Sequence, residues 1–343
     1  MKTLKILVAL FAGLLAFTSV KAGELSVTGS MQATIQSEVD DTTGNPLGMN
    51  TDLTFSGSTD TDFGTATWTM ATDGTFLGES GADHTFKIAT DLGTFGVGNS
   101  GDAANAVDDI TPTAFEEANG SGSGTYSTDF GSGMDGSMSL SYGNSDIAGL
   151  GISVAANYYP KLDGTTNNEK ASSADTLHTA DSATSINVGI PVGGLPIIGD
   201  TPLGAMKITL GYNEGDARNA LAYGREGGTV AVNFPVGPVS IGYQKKGFTN
   251  DTDSTETGRK FFKEDILGVA YAVNDSFAIS YNLFESNKHD HTTGQIEQET
   301  KAINLAYTVG GLTLGFQDAK TSNAGYSTGT DDDTRTISVK TAF

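Results

Sequence analysis

The stretch Glu24-Leu25-Ser26-Val27-Thr28-Gly29-Ser30-Met31-Gln32-Ala33-Thr34-Ile35-Gln36 decides the fold. Every odd-numbered residue in it is apolar or Gly, and every even-numbered one is polar. A period of two puts successive side chains on opposite faces of a β-strand. The apolar face is small and plain, the polar face carries no charge after Glu24, and about ten such residues are what a tilted strand needs to cross a bilayer. The segment therefore reads as one stave of a barrel wall.

Alternating apolar sets recur at Leu53/Phe55, Trp68/Met70, Phe86/Ile88, Phe95/Val97, Leu140/Tyr142, Val154/Tyr158, Val188/Ile190, Ile208/Leu210, Val230/Val232, Ile241/Tyr243, Val269/Tyr271, Ile279/Tyr281, Ile303/Leu305, Leu312/Leu314 and Ile337/Val339. With the first stretch they make sixteen candidate strands, an even number as closure of an antiparallel barrel with both ends on one rim requires. Connections alternate in length. Short ones fall near Asp60-Thr61-Asp62, Asp91-Leu92-Gly93, Asn274-Asp275 and Gly310-Gly311, all turn-forming residues. Long polar ones are expected over 40–48, 99–133, 161–183, 213–224, 248–259, 287–298 and 320–333. Short turns on one rim and long loops on the other are the outer-membrane pattern. The stretch 191–205 is too long for the turn it should form.

Tyrosine placement agrees. Tyr142, Tyr158, Tyr212, Tyr243, Tyr271, Tyr281 and Tyr307 share the parity of the apolar face in their strands, where an amphipathic ring suits the boundary of membrane and water. Upstream, Lys2 and Lys5 precede the apolar run Ile6 to Thr18, and Val20-Lys21-Ala22 supplies small residues for a cleavage site. Residues 1–22 are thus expected to be a signal peptide, leaving 23–343 as an outer-membrane β-barrel. The apolar run is too short to span hydrocarbon as a helix.

The chain has no Cys, so disulfides and Cys metal sites are excluded. Its net charge of −22 becomes −25 once Lys2, Lys5 and Lys21 leave with the leader. Nucleic acid is an unsuitable partner for such a surface, because phosphate binding needs a basic stripe. No nucleophile elbow, HExxH or P-loop is present, and the His289-Asp290-His291 spacing offers too few ligands for a metal site. An enzyme is not expected.

Particular residues carry a family resemblance. Asp52-Leu53-Thr54-Phe55-Ser56-Gly57-Ser58, then Phe63-Gly64 and the Trp68 strand, resembles the second hairpin of Gram-negative general diffusion porins. Thr85-Phe86-Lys87-Ile88 and Asp91-Leu92-Gly93-Thr94-Phe95-Gly96-Val97-Gly98 are similar to the strand pair before their pore-constricting third loop. Phe343, with Thr341, Val339 and Ile337 alternating behind it, looks like their carboxyl-terminal signature for the outer-membrane assembly machinery. The order of these motifs resembles porins of the alphaproteobacterial type.

The resemblance implies a homotrimer of 16-stranded antiparallel transmembrane β-barrels, each with its third extracellular loop folded into the lumen. The stretch Asn99 to Gly133 falls where that loop belongs and carries Asp102, Asp108, Asp109, Glu116 and Glu117. Facing basic residues at lumen parity are Lys87, Lys207, Arg225, Lys246 and Lys340. Opposed charges in a narrow bore create a transverse field. Asn99 follows Gly98 where the family commonly has Arg, which weakens the basic side.

The expected function is a water-filled channel for small hydrophilic solutes and ions, mildly cation-preferring because acidic residues outnumber basic ones. Acidic loop clusters at Asp40-Asp41, Asp251/Asp253 and Asp331-Asp332-Asp333 offer oxygen ligands to Ca2+ or Mg2+, which would brace loops or bridge to lipopolysaccharide. A solvated surface explains the same clusters. The rival reading is an extracellular acidic β-rich adhesive or structural protein that binds divalent cations. A plugged barrel serving as an anchor is a third.

Overall fold

The computed structural model describes residues 25–38, 45–72, 83–99, 101–120, 134, 137–160, 180–194, 202–217, 225–250, 260–290 and 294–343. The expected signal peptide and the acidic pairs Asp40-Asp41 and Asp251/Asp253 lie outside them.

Sixteen antiparallel strands form one closed barrel. They are β1 (Leu25–Glu38), β2 (Leu47–Thr61), β3 (Gly64–Thr72), β4 (Asp83–Thr90), β5 (Gly93–Gly98), β6 (Ser139–Ile147), β7 (Ile152–Tyr159) and β8 (Ala180–Pro191). The second half comprises β9 (Lys207–Ala217), β10 (Arg225–Val236), β11 (Val239–Asn250), β12 (Lys260–Asn274), β13 (Phe277–Asp290), β14 (Gly294–Val309), β15 (Leu312–Ser322) and β16 (Asp331–Ala342). Each strand pairs with its neighbours in sequence, and β1 closes on β16 through pairs running from Ser30/Ala342 to Glu38/Thr334. Phe343 extends the seam, exchanging two backbone hydrogen bonds of 2.9 Å with Gly29.

The barrel is inside-out relative to a soluble protein. Leu25, Val27, Met31, Ile241, Ile303, Leu314 and Val339 are exposed on the outer surface, whereas Thr229, Gln244, Asn282, Asn304, Gln317 and Ser338 are buried within. A two-layer sandwich would put those aliphatic side chains against one another, so this burial pattern removes that architecture. Tyr158, Tyr212, Tyr243, Tyr271, Tyr281 and Tyr307 also face outward. The Tyr212 hydroxyl lies 3.2 Å from carboxylate oxygens of both Glu214 and Glu226, marking where the apolar surface gives way to a polar one.

Turns explain the short rim. Gly310-Gly311, both at positive φ (57° and 83°), join β14 to β15 in the geometry that matches strand twist. The stretch 191–205 is accounted for in part by 3-10 turns at Val192–Gly194 and Pro202–Ala205. The Val192 amide donates to the Met206 carbonyl at 2.9 Å and closes the base of that connection.

Six of the seven long loops expected from sequence are shortened by their flanking strands. Only residues 291–293 separate β13 from β14, 323–330 separate β15 from β16, and 251–259 separate β11 from β12. Backbone pairing continues beyond the apolar band, because a strand above the membrane keeps its ladder while its outward side chains become charged. Lys245–Asp265, Lys320–Asp333 and Arg335–Asp318 pairs, each at 2.7 Å, stand on that extension. Asp331-Asp332-Asp333 therefore begin a strand rather than fill a loop. Successive residues there point to opposite faces, and among the described residues no group of three carboxylates or His could hold a metal ion.

Candidate pore constriction

Residues 101–120, between β5 and β6, cross the barrel interior and lie along its inner wall from β7 to β15. A loop in that position must satisfy its own backbone, and inward-facing amides and hydroxyls do this. Tyr159 donates from its hydroxyl to the Gly101 carbonyl at 3.1 Å, and the Ala103 amide donates to Asn157 Oδ1 at 3.1 Å. Gln244 Nε2 donates to the carbonyls of Val107 (2.8 Å) and Asp108 (2.6 Å), while its Oε1 accepts from the Ile110 amide. Farther along, Asn233 holds the Ile110 carbonyl at 2.7 Å, Asn282 that of Pro112 at 3.1 Å, and Gln317 that of Glu116 at 3.1 Å.

Two apolar fittings support these hydrogen bonds. Ile266, Phe284, Ala302 and Ala319, all inward-facing, form a pad on which Ala118 of the loop sits. Between the anchors, wall glycines let the loop come close. A Cβ on Gly268 would lie 2.5 Å from the Pro112 carbonyl oxygen, and one on Gly315 would lie 2.5 Å from the Phe115 ring. Gly268→Val is accordingly expected to cost about 1–3 kcal/mol by overpacking and to raise single-channel conductance by lifting the loop. An unchanged unfolding midpoint together with unchanged conductance would show that Pro112 does not rest there.

The acidic residues of the loop divide into two groups. Asp102 and Asp108 are buried and face the wall. Asp102 Oδ1 accepts from the Ala104 amide at 2.8 Å and from the Ser185 hydroxyl. Asp108 Oδ1 accepts from Lys246 Nζ at 2.8 Å. Asp109, Glu116 and Glu117 keep part of their surface open to the lumen, with Asn119 donating to Asp109 at 2.8 Å. Burial, reinforced by Glu116 and Asp109, pushes the Glu117 carboxyl up to about 7. Burial raises Glu116 as well, opposed by the charge of Lys340.

The basic residues divide likewise. Lys87 on β4, Lys207 at the start of β9 and Lys340 near the end of β16 are inward and exposed. Arg225 opens β10 opposite Gly215, but its side chain lies outside the described residues. Lys246 differs from the sequence expectation. Its side chain is 0 % exposed, and it lies 2.9 Å from Glu264 and 3.5 Å from Asp109 besides its bond to Asp108. It is a clamp beneath the loop and does not line the bore.

The amides and the apolar pad escape a sequence reading based on parity, although both leave signals. Inward positions of β1 to β4 carry mostly Ser and Thr, whereas those of β10 to β15 carry Asn233, Gln244, Asn282, Asn304 and Gln317. The doublets Phe261-Phe262, Ile266-Leu267 and Leu283-Phe284 break the alternation where something apolar docks inside.

A family model described as Gram-negative porin matches residues 7–342. No curated protein matches the chain by sequence. Solved structures similar in fold include an anion-selective porin from Comamonas acidovorans, with TM-score 0.65, 11 % identity, and 94 % and 100 % of the two chains covered. Salmonella typhi OmpF in complex with daunomycin superposes with TM-score 0.64 at 14 % identity, covering 94 % of this chain and 98 % of that one. In-vitro folded OmpT of Vibrio cholerae gives 0.63 at 12 % identity, covering 96 % and 100 %. A closed 16-stranded wall, polar within and apolar without, and a family match spanning nearly its whole length lead to one assignment: the chain belongs to the Gram-negative porin family.

Proposed function

We propose that this porin is a mildly cation-preferring diffusion channel for small hydrophilic solutes, its bore narrowed by residues 101–120 at the acidic group Asp109, Glu116 and Glu117. The observation that carries this reading is the division of the loop: Asp102 and Asp108 are buried against the wall, whereas Asp109, Glu116 and Glu117 keep surface open to the lumen, Asp109 while also lying 3.5 Å from Lys246. A porin barrel places the protein in the outer membrane of a Gram-negative cell. Fold does not set the sign of selectivity, since a neighbour of the same fold is an anion-selective porin; that sign must come from these side chains.

Planar-bilayer recording tests the reading. At pH 8 a salt gradient is expected to give a reversal potential of cationic sign. Acidification to pH 6 passes through the range near 7 where Glu117 gains a proton, so negative charge leaves the constriction and cation preference falls. Anion preference at pH 8, or a closed channel, would sink the proposal.

The same proposal includes a homotrimer, in keeping with the trimer form in which OmpT of Vibrio cholerae was solved, and predicts insertion steps in multiples of three. It assigns Phe343, exposed at the seam, to recognition by the assembly machinery. The outward ion pairs on the strand extensions would lie among lipopolysaccharide head groups, with Ca2+ or Mg2+ bridging loop carboxylates to their phosphates.

A further inference from the structure

The loop between β15 and β16 turns inward at the long-loop rim. Asn323, Gly325 and Tyr326 all take positive φ (52°, 60° and 56°). A left-handed Tyr is costly and persists only where its surroundings hold it. Here they do. The Tyr326 ring is buried 5.7 Å from Phe262, which stacks on Phe248 at 5.2 Å, and the Lys288 ammonium lies 5.5 Å from the Tyr326 ring centroid. The Gly325 amide donates to Gln298 Oε1 at 3.0 Å, and the Ala324 amide to the Thr330 carbonyl at 2.8 Å.

Two routes lead from this tyrosine to the constriction loop. The apolar route runs through one cluster, in which Ala104 of that loop packs together with Phe248, Phe262 and Tyr326. The polar route passes through the wall. The Tyr326 hydroxyl lies 2.6 Å from Ser286 Oγ, Ser286 donates to Glu264 Oε1 at 3.2 Å, Glu264 Oε2 meets Lys246 Nζ at 2.9 Å, and Lys246 donates to Asp108 at 2.8 Å. Phe248, Phe262, Glu264 and Ser286 are all inward-facing, buried, and otherwise without a role in lining the bore.

We propose that Tyr326 is a positioning residue for the constriction, and that the last loop and the constriction loop detach from the wall as one unit. A tyrosine that served only its own turn would need neither Ala104 nor the ionic path to Asp108. With both in place, release of Tyr326 removes an apolar contact and the terminal member of a buried polar chain.

The test uses the lack of native cysteine. Ala118 is fully buried under the other end of the constriction loop, against Ile266, Phe284, Ala302 and Ala319, in a cluster that does not contain Tyr326. In the folded full-length protein, A118C is treated with a small charged thiol reagent, alone and combined with Y326F or Y326A. Slow modification is expected in A118C alone. Y326F, which deletes only the hydroxyl, should speed it about three- to tenfold, on the scale of one lost buried hydrogen bond, and Y326A should speed it further. Equal rates with and without the Tyr326 substitutions would overturn the proposal, as would rapid modification of A118C alone. If Y326A does not yield a folded barrel, the rate measured with Y326F decides. The readout does not depend on ion flow, so its failure leaves the channel reading intact and a non-conducting channel leaves the test valid.

Discussion

Replacing Lys246 with Met is expected to cost the folded barrel about 3–5 kcal/mol, the usual penalty for removing one member of a buried ionic group. Met keeps much of the stem's bulk but leaves Asp108 and Glu264 facing each other without a cation. Lys246 has no exposure through which water could replace the lost contacts. The loop should swing away from β11 near Asp108, and single-channel conductance should rise with it. Gln244, Asn282 and Gln317 continue to hold neighbouring segments, so the barrel itself should still assemble. The companion variant K246M/D108N/E264Q should regain most of the lost stability, because neutral groups in the same place no longer carry the desolvation cost. Urea unfolding of the refolded protein measures both. A loss below about 1 kcal/mol in K246M, typical of an exposed pair, would show that the clamp is not a fixed contact.

The second large effect concerns selectivity. Conversion of Asp109, Glu116 and Glu117 to Asn, Gln and Gln removes the acidic side of the bore while Lys87, Lys207 and Lys340 remain. The preference for cations over anions is expected to fall by about tenfold, the low end of what focused charge in a cleft achieves, and to change sign. Conductance should change much less, since amides occupy nearly the same volume. Because Asp109 also meets the Lys246 ammonium at 3.5 Å, stability should fall, but by no more than about 1 kcal/mol, the scale of a partly exposed ion pair. A reversal potential unmoved by the triple substitution would place the selective charges elsewhere on the wall.

The strand framework was legible because the bilayer imposes it. A lipid-facing position tolerates little but apolar side chains, so Leu25-Val27 and Leu312-Leu314 reveal their strands even in isolation. Strand ends were not legible where the bilayer stops. Lys260 to Glu264 and Gly294 to Glu299 pair as β-strands although their outward residues look like loop. The constriction site was half legible. The position and acidity of residues 101–120 could be read, but parity alone cannot tell an inward lysine that meets water from one that meets a loop, and Lys207 and Lys246 look alike in that respect. What distinguishes them is the company on adjacent strands: Glu264 and Gln244 beside Lys246, a solvated rim beside Lys207. The inward Phe262, Ile266 and Phe284 make the same point. Each breaks a pattern that a water-filled lumen would enforce, and each marks a surface that water never reaches.

The seam between β1 and β16 sets the timetable of folding. Gln32 donates to Ser338 at 3.0 Å across 306 residues of chain, so the cylinder stays an open ribbon until almost all of it has been synthesised. Such distant partners meet slowly, and during the wait both ribbon edges offer unpaired amides to any passing strand. Stability therefore arrives late and all together, which gives the cell a reason to escort the unfinished polypeptide across the periplasm.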